Sequence, residues 1–471
     1  VTGWRDLHAA LWRYDRGYRI AWFVGPLSLV VLASAAIVSY APSAATGSAT
    51  TPGQWVKAAP ALVQWGACDL AGPPAAAIDA CSAIVARAGI GASDLATAYF
   101  RRGLAHGRLN QAQPAIDDYS QALRVAPRMA AALNNRALLY GAQKNFPVAE
   151  ADLSASITDN PQGALAFANR ADLRRAMGRL DDALVDANTA VRLDPTLAPA
   201  FLARAAIDEQ RKSWEPALAD ASTAIQLRAN NPAAYIARAV ANVNLKHLDA
   251  AASDATQAID LGSNLPLPFL VRGDANRRQQ KYDLAMADLT RCLAIDARQA
   301  ACLTLRARTK LLQGDVAGAA NDANDALAID PTMVDAYRIR GDAHMKQDDV
   351  ADALADFQQA AARAPHSAGV LADRAFAFWR SQLADQAACR RRGRSRTDCD
   401  LGPGLSRATG YFDEVLSIDP NNVPALYGRG SVNLAGGHRD LAEADWRKAL
   451  GIAPSDPGLR TAMTQAGMRL N

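Results

Sequence analysis

One residue type keeps a period that few folds can accommodate. Arg102, Arg136, Arg170, Arg204, Arg238, Arg272, Arg306, Arg340 and Arg374 stand 34 residues apart, and Arg429 follows after 55, one period plus 21 residues. The next residue is always small: Gly103, Ala137, Ala171, Ala205, Ala239, Gly273, Ala307, Gly341, Ala375 and Gly430. Thirteen residues past each of the first eight arginines comes an alanine, from Ala115 to Ala353, and three further on an aspartate, from Asp118 to Asp356. Several columns held in register over this length mean a repeat architecture.

Each period reads as two helices of about fourteen residues, roughly 21 Å each at 1.5 Å per residue. Within 164–197, Leu165, Phe167, Leu173 and Met177 form one apolar set. Leu180, Ala183, Leu184, Ala187, Val191 and Leu193 form a second, beyond the break Gly178-Arg179. Spacings of three and four place each set on one helix face. The small columns let the paired backbones approach closely. Pro127, Pro161, Pro195, Pro331, Pro365, Pro420 and Pro454 share a column and stop the second helix, because proline lacks the donor and clashes with the preceding turn. A single pair cannot bury its own apolar face, so the pairs stack.

These columns resemble the tetratricopeptide repeat. The resemblance implies an all-α chain, a TPR α-solenoid in which helix pairs build a right-handed superhelix. It sets ten units over 96–456, beginning at 96, 130, 164, 198, 232, 266, 300, 334, 368 and 423, with the ninth (368–422) carrying a 21-residue basic insertion. Two departures stand out. The first-helix aromatic column (Tyr99, Leu133, Phe167, Phe201, Tyr235, Phe269, Leu303, Tyr337, Leu371) never holds tryptophan. Arginine stands where the family commonly has leucine. Either each arginine pairs with a repeated aspartate of its own or a neighbouring unit, or it snorkels over an apolar seam.

Outside the repeats, residues 1–19 carry four arginines, and 20–40 carry no charge at all. Twenty-one such residues span roughly 30 Å as a helix, enough for a bilayer core. The arginine bias predicts a single-pass bacterial inner-membrane protein with its N-terminus cytoplasmic and its repeats periplasmic. A cleaved secretory signal is the rival reading; the long apolar core and long leading segment favour a retained anchor. Residues 41–66 read as a flexible spacer, 67–95 as a capping half-repeat built like a lone second helix, and 457–471 as a C-terminal capping helix.

The six cysteines fall in three close pairs, Cys68 with Cys81, Cys292 with Cys302, and Cys389 with Cys399. Six allow 15 connectivities, and nearest-neighbour disulfides are the simplest, as expected in an oxidising compartment. There is no Cys-x-x-Cys and no histidine beside the pairs, which argues against zinc. The insertion places Arg390, Arg391, Arg392, Arg394 and Arg396 between Cys389 and Cys399. Such a loop is either simply solvated or grips an anionic partner. An exported loop rarely meets nucleic acid and no aromatic residues interleave these arginines, so nucleic acid is not expected.

The search for chemistry returns little. The six histidines are scattered, and no His-Glu-x-x-His, Gly-x-Ser-x-Gly or phosphate-cradling glycine loop occurs. No enzyme activity, cofactor or metal is expected. His106 and His344 share the first-helix column where the family often has a core tyrosine. The family resemblance implies a concave groove lined by first helices that accepts a protein or peptide. Its candidates here are Asn135, Asn169, Asp172, Arg175, Glu209, Asp274, Arg277, Arg308, Arg338 and Asp342. Asn135 and Asn169 match an asparagine column of family members that clamp carboxylate tails, but Phe100 and Leu104 stand where that clamp's first lysine and asparagine belong. The resulting expectation is a membrane-anchored periplasmic scaffold for protein assembly. The alternative is a cell-wall or polysaccharide factor that binds an anionic polymer through the arginine loop.

Overall fold

The computed structural model describes residues 65–70, 72–392 and 402–468. They form 22 α-helices and a short 3-10 turn, Gly66–Asp69, with no strand among the described residues. The helices fall into two compact units, one ending at Ser263 and one beginning at Asn264. The first holds α1 (Pro74–Val85), α2 (Ala92–Arg108), α3 (Ala112–Val125), α4 (Ala130–Ala142), α5 (Phe146–Asp159) and α6 (Ala164–Ala176). It continues with α7 (Leu180–Leu193), α8 (Ala198–Gln210), α9 (Trp214–Leu227), α10 (Pro232–Asn244) and α11 (Leu248–Asp260). The second holds α12 (Pro266–Arg278), α13 (Tyr282–Ile295), α14 (Ala300–Gln313), α15 (Val316–Ile329), α16 (Val334–Lys346) and α17 (Val350–Arg363). It ends with α18 (Ala368–Arg391), α19 (Gly402–Ile418), α20 (Val423–Ala435), α21 (Arg439–Ile452) and α22 (Pro457–Gln465).

Within each unit every helix packs on its sequence neighbours, and from α4 onward the first helices also touch the first helix of the next repeat. The turn inside each pair repeats one geometry. In the fifteenth position the backbone is left-handed, at Asn110, Lys144, Gly178, Lys212, Lys246, Gln280, Gly314, Asp348 and Gly437. The following N–H bonds back five residues, as Gln111 does to His106 and Lys281 to Asn276. This satisfies a terminal carbonyl of the first helix and reverses the chain.

The close approach of paired helices is set by complementary volumes sixteen residues apart. Gly103, Gly273, Gly341 and Gly430 face Tyr119, Leu289, Phe357 and Trp446. Where the small residue is Ala171, Ala205, Ala239 or Ala307, its counterpart is Ala187, Ala221, Ala255 or Ala323, all fully buried. A Cβ on Gly341 sits 2.9 Å from Phe357 Cε1, inside the contact distance. Gly341→Ala is therefore expected to cost about 1–3 kcal/mol in urea unfolding. In a Phe357→Ala background the sign reverses, because the clash is gone and alanine exceeds glycine in helix preference by about 1 kcal/mol. Equal effects in both backgrounds contradict the volume match.

Of the two readings left open for the arginine column, the structure shows pairing. Arg136 Nε and Nη2 donate to Asp152 at 2.8 Å each, and Arg170, Arg204, Arg238, Arg272, Arg306, Arg340 and Arg429 repeat the fork with the aspartate sixteen residues on. Arg102 does the same with Asp118. The remaining Nη1 reaches the second helix of the preceding repeat, at Ser120 from Arg136, Ser154 from Arg170, Asn188 from Arg204 and Asn324 from Arg340. One guanidinium thus ties three helices together. Its hydrogen bonds to the aspartate hold it above its ordinary pKa despite burial, as at Arg136 and Arg170.

A second donor meets the same aspartate from twelve residues upstream. Arg174 and Lys310 reach Asp186 and Asp322 at 2.8 and 2.9 Å. Asn242 and Asn276 donate to Asp254 and Asp288. His106 and His344 lie 3.7 and 3.8 Å from Asp118 and Asp356, so these histidines belong to the seam. Asp208 breaks the pattern, because it brings a carboxylate to the buried Asp220. Burial first, then Asp220, hold its carboxyl above the ordinary range. Asp208→Asn is expected to stabilise the repeat by about 1 kcal/mol near neutral pH, converting a repulsion into a hydrogen bond. The gain shrinks as pH falls and Asp208 protonates. A loss of stability in thermal melts contradicts this.

The expected inner-membrane location, with periplasmic repeats, is overturned: among the described residues no helix is long and apolar enough to cross a membrane. The physical reason is the amphipathic pattern itself. Even the longest helix, α18, carries Asp373, Arg374, Arg380, Asp385, Arg390 and Arg391. The segment 20–40, expected to cross, lies outside the described residues, as do 1–19 and nearly all of the spacer.

Helix α1 packs on α2, and α22 buries Leu459 and Met463 against the last repeat. A disulfide joins Cys68 of the 3-10 turn to Cys81 of α1, with Cα atoms 4.9 Å apart. Another joins Cys292 of α13 to Cys302 of α14, tying adjacent repeats across 6.4 Å between Cα atoms. Cys389 is also disulfide-bonded, while Cys399 lies outside the described residues.

Candidate functional site: the first-helix face

With the arginine–aspartate forks filling the seam inside each pair, a different set of polar side chains links one first helix to the next. In the first unit, Asn169 of α6 donates to Asn134 of α4 at 2.8 Å, and both are buried. Asn135 reaches instead toward Tyr119 of α3, whose hydroxyl is held above its usual pKa chiefly by burial. Three residues beyond Asn169, Asp172 accepts from Arg175 at 3.2 Å. Burial raises the Asp172 carboxyl while Arg175 pulls it down. Arg175 is itself only 5 % exposed.

Glu209, on α8, faces this arginine. Its Oε1 is buried with no hydrogen-bond partner, and burial pushes its carboxyl up to about 8 against the opposing pull of Arg175. Near neutral pH the side chain is largely protonated, so it can donate as well as accept. The cluster Asn134, Asn169, Asp172, Arg175 and Glu209 therefore offers donors and acceptors along adjacent first helices, with one buried oxygen unsatisfied. An orphaned buried polar atom in a folded protein calls for an explanation.

The second unit carries its own ladder. Arg308 of α14 reaches Asp335 of α16 at 3.4 Å, and Arg338 of α16 donates to Asp373 of α18 at 2.7 Å. Asp274, fully buried, is clasped by Arg277 and Arg278 of its own helix at 2.7 Å. Asp342 is half-buried on the same helix as Arg338, near the Lys346 ammonium that burial holds below its ordinary pKa. The ten groove candidates thus divide evenly. Asn135, Asn169, Asp172, Arg175 and Glu209 lie in the first unit, and Asp274, Arg277, Arg308, Arg338 and Asp342 in the second.

The basic insertion differs from the expected loop. Arg390 and Arg391 form the last turn of α18 and Arg392 caps it, all exposed. Residues 381–391 contain no helix breaker, and cations at a helix C-terminus are favoured by its dipole. Arg394 and Arg396 lie outside the described residues. Among the described residues no three His, Cys, Asp or Glu side chains are grouped as metal ligands would be.

A family profile described as tetratricopeptide repeat matches residues 100–164, 134–198, 304–368 and 339–391. These stretches are tetratricopeptide repeats. No curated protein sequence matches the chain. Among solved structures, the crystal structure of the APC/C hetero-tetramer Cut9-Hcn1 is 13 % identical, each chain covering 83 % of the other, with a TM-score of 0.52. That likeness extends to the fold alone. A tetratricopeptide repeat protein from Parabacteroides merdae is 18 % identical over 53 % of this chain and 98 % of its own, with a TM-score of 0.41. YrrB, described as a TPR protein with an unusual peptide-binding site, is 18 % identical over 39 % of this chain and 95 % of its own, at 0.32.

Proposed function

We propose that this TPR chain is a non-enzymatic scaffold that holds an extended segment of a protein partner on the first-helix face of its first unit. One observation carries the reading: on that face Glu209 keeps a buried Oε1 without a partner beside the buried Arg175, whereas the seam's carboxylates are forked by guanidinium groups. A peptide backbone supplies an N–H and a C=O at every residue and can satisfy a side chain that both donates and accepts. The tetratricopeptide class, in which first helices line a partner groove, agrees with this. The anionic-polymer alternative rests on Arg390, Arg391 and Arg392 at an exposed helix end and on no further observation.

The test is selection of peptides from a random display library on the full chain, followed by affinity measurement against variants. Asn169→Ala combined with Glu209→Met is expected to weaken the selected peptides about tenfold, the scale of roughly 1.4 kcal/mol for lost hydrogen bonds. Circular dichroism confirms that the variant is folded. Peptides whose affinity ignores this change, but falls when exposed second-helix residues such as Val185 are replaced, contradict the proposal.

A further inference from the structure

The arginine column has one member without its carboxylate. Counting through the 21-residue insertion, the aspartate position of the ninth repeat is held by Tyr411, thirty-four residues before Asp445. Arg374 consequently lies over the Tyr411 ring, 4.3 Å from its centroid. Its Nη2 meets Glu414 at 2.5 Å, while its Nε is buried with no hydrogen-bond partner. Glu414 is a loose substitute, 44 % exposed at its side chain, where the column's aspartates are almost wholly buried. Gln358 occupies the position whose Ser or Asn accepts from the arginine in other repeats.

These residues surround a cleft of about 460 Å³ between α17, α18 and α19. A second arginine, Arg407, stands at its edge, exposed, with Nε 3.2 Å from the Tyr411 hydroxyl. The cleft thus presents two guanidinium groups, a phenol and an amide against Leu371 and Pro365, with Glu414 as the opposing charge. Arg374 and Leu371 come from the first helix α18, while Gln358, Arg407, Tyr411 and Glu414 come from the second helices α17 and α19, and none of them is among the groove candidates.

We propose that this cleft binds a carboxylate supplied from outside the repeat, which displaces Glu414 from Arg374 and is shared with Arg407. The sibling repeats show what the guanidinium donates to in this setting: a planar carboxylate. Two guanidinium groups in a half-enclosed cleft suit such a ligand, since Arg–carboxylate bonds are charge-assisted and directional. The carboxylate belongs either to a free dicarboxylic acid or to a Glu or Asp side chain of a bound segment.

The full chain, labelled with 15N at arginine, is titrated with glutarate, with an acetylated and amidated Ala-Glu-Ala peptide, and with inorganic phosphate. The expected result is a saturable shift of the Arg374 Nε–H resonance with glutarate or the peptide, the stronger of the two identifying the source. Arg407→Ala, an exposed substitution, is expected to weaken binding about tenfold. Tyr411→Asp, which restores the column's own carboxylate, is expected to abolish it. No saturable shift with either carboxylate, phosphate binding as tightly as both, or equal binding in Tyr411→Asp and the unaltered chain overturns the proposal.

Discussion

Replacing Arg136 with alanine is expected to lower the unfolding free energy by about 3 kcal/mol in urea denaturation near neutral pH. The reason is what stays behind. Asp152 is 6 % exposed, and its fork comes from Arg136 alone; truncation leaves a buried carboxylate without a counter-charge. The same change removes the donor to Ser120 of the preceding repeat, so the interface between repeats loosens with the pair. Replacing both partners, Arg136→Leu with Asp152→Ala, removes the stranded charge and is expected to recover more than half of the loss. A double variant as unstable as the single one contradicts an electrostatic origin and points to lost packing of the arginine stem.

The second large effect is a pH dependence centred on Glu209. Its folded-state pKa is raised from the ordinary glutamate value to about 8 by burial. Between those two values the folded chain holds a proton that the unfolded chain has released. Stability therefore falls as pH rises through this window, by up to about 1.4 kcal/mol per pH unit, and levels off above the folded pKa. Glu209→Gln cannot ionise. It is expected to match the unaltered chain near pH 4.5 and to exceed it by several kcal/mol at pH 9, with the raised carboxyl visible directly as a 13C titration of Glu209 near pH 8. A Glu209 midpoint below 5, or parallel stability curves for the two chains, contradicts the buried carboxyl described above.

The repeat was legible because its columns are read by counting, and small residues beside each arginine leave one packing solution. The partner of the arginine was not, since a guanidinium on a long stem fits both a buried fork and a seam that opens to water. A signal was nevertheless present. The position twelve residues before the aspartate is filled by His106, Tyr140, Arg174, Asn242, Asn276, Lys310, His344 and Asn433, which share only the capacity to donate a hydrogen bond, with Asp208 the exception. The volume match between Gly341 and Phe357, or Ala307 and Ala323, was likewise readable once the sixteen-residue offset was known. The insertion reads as a loop from its paired cysteines and clustered arginines, although residues 381–391 continue the helical composition of α18. Tyr411 was hidden for a simpler reason: its place in the aspartate column appears only when the insertion is subtracted. The groove candidates follow from helix position. Which of them are left unsatisfied depends on burial, as at Glu209, and burial is a property of the stacked repeats rather than of any one of them.

The direct test of the binding face is photo-crosslinking with a display-selected peptide. A photoreactive residue is placed at Gln210, exposed at the end of α8 beside Glu209, or at Val185, 65 % exposed on the second helix α7. Crosslinks from Gln210 and none from Val185 are the predicted result; crosslinks from Val185 with none from Gln210 would show that partners dock on the opposite face.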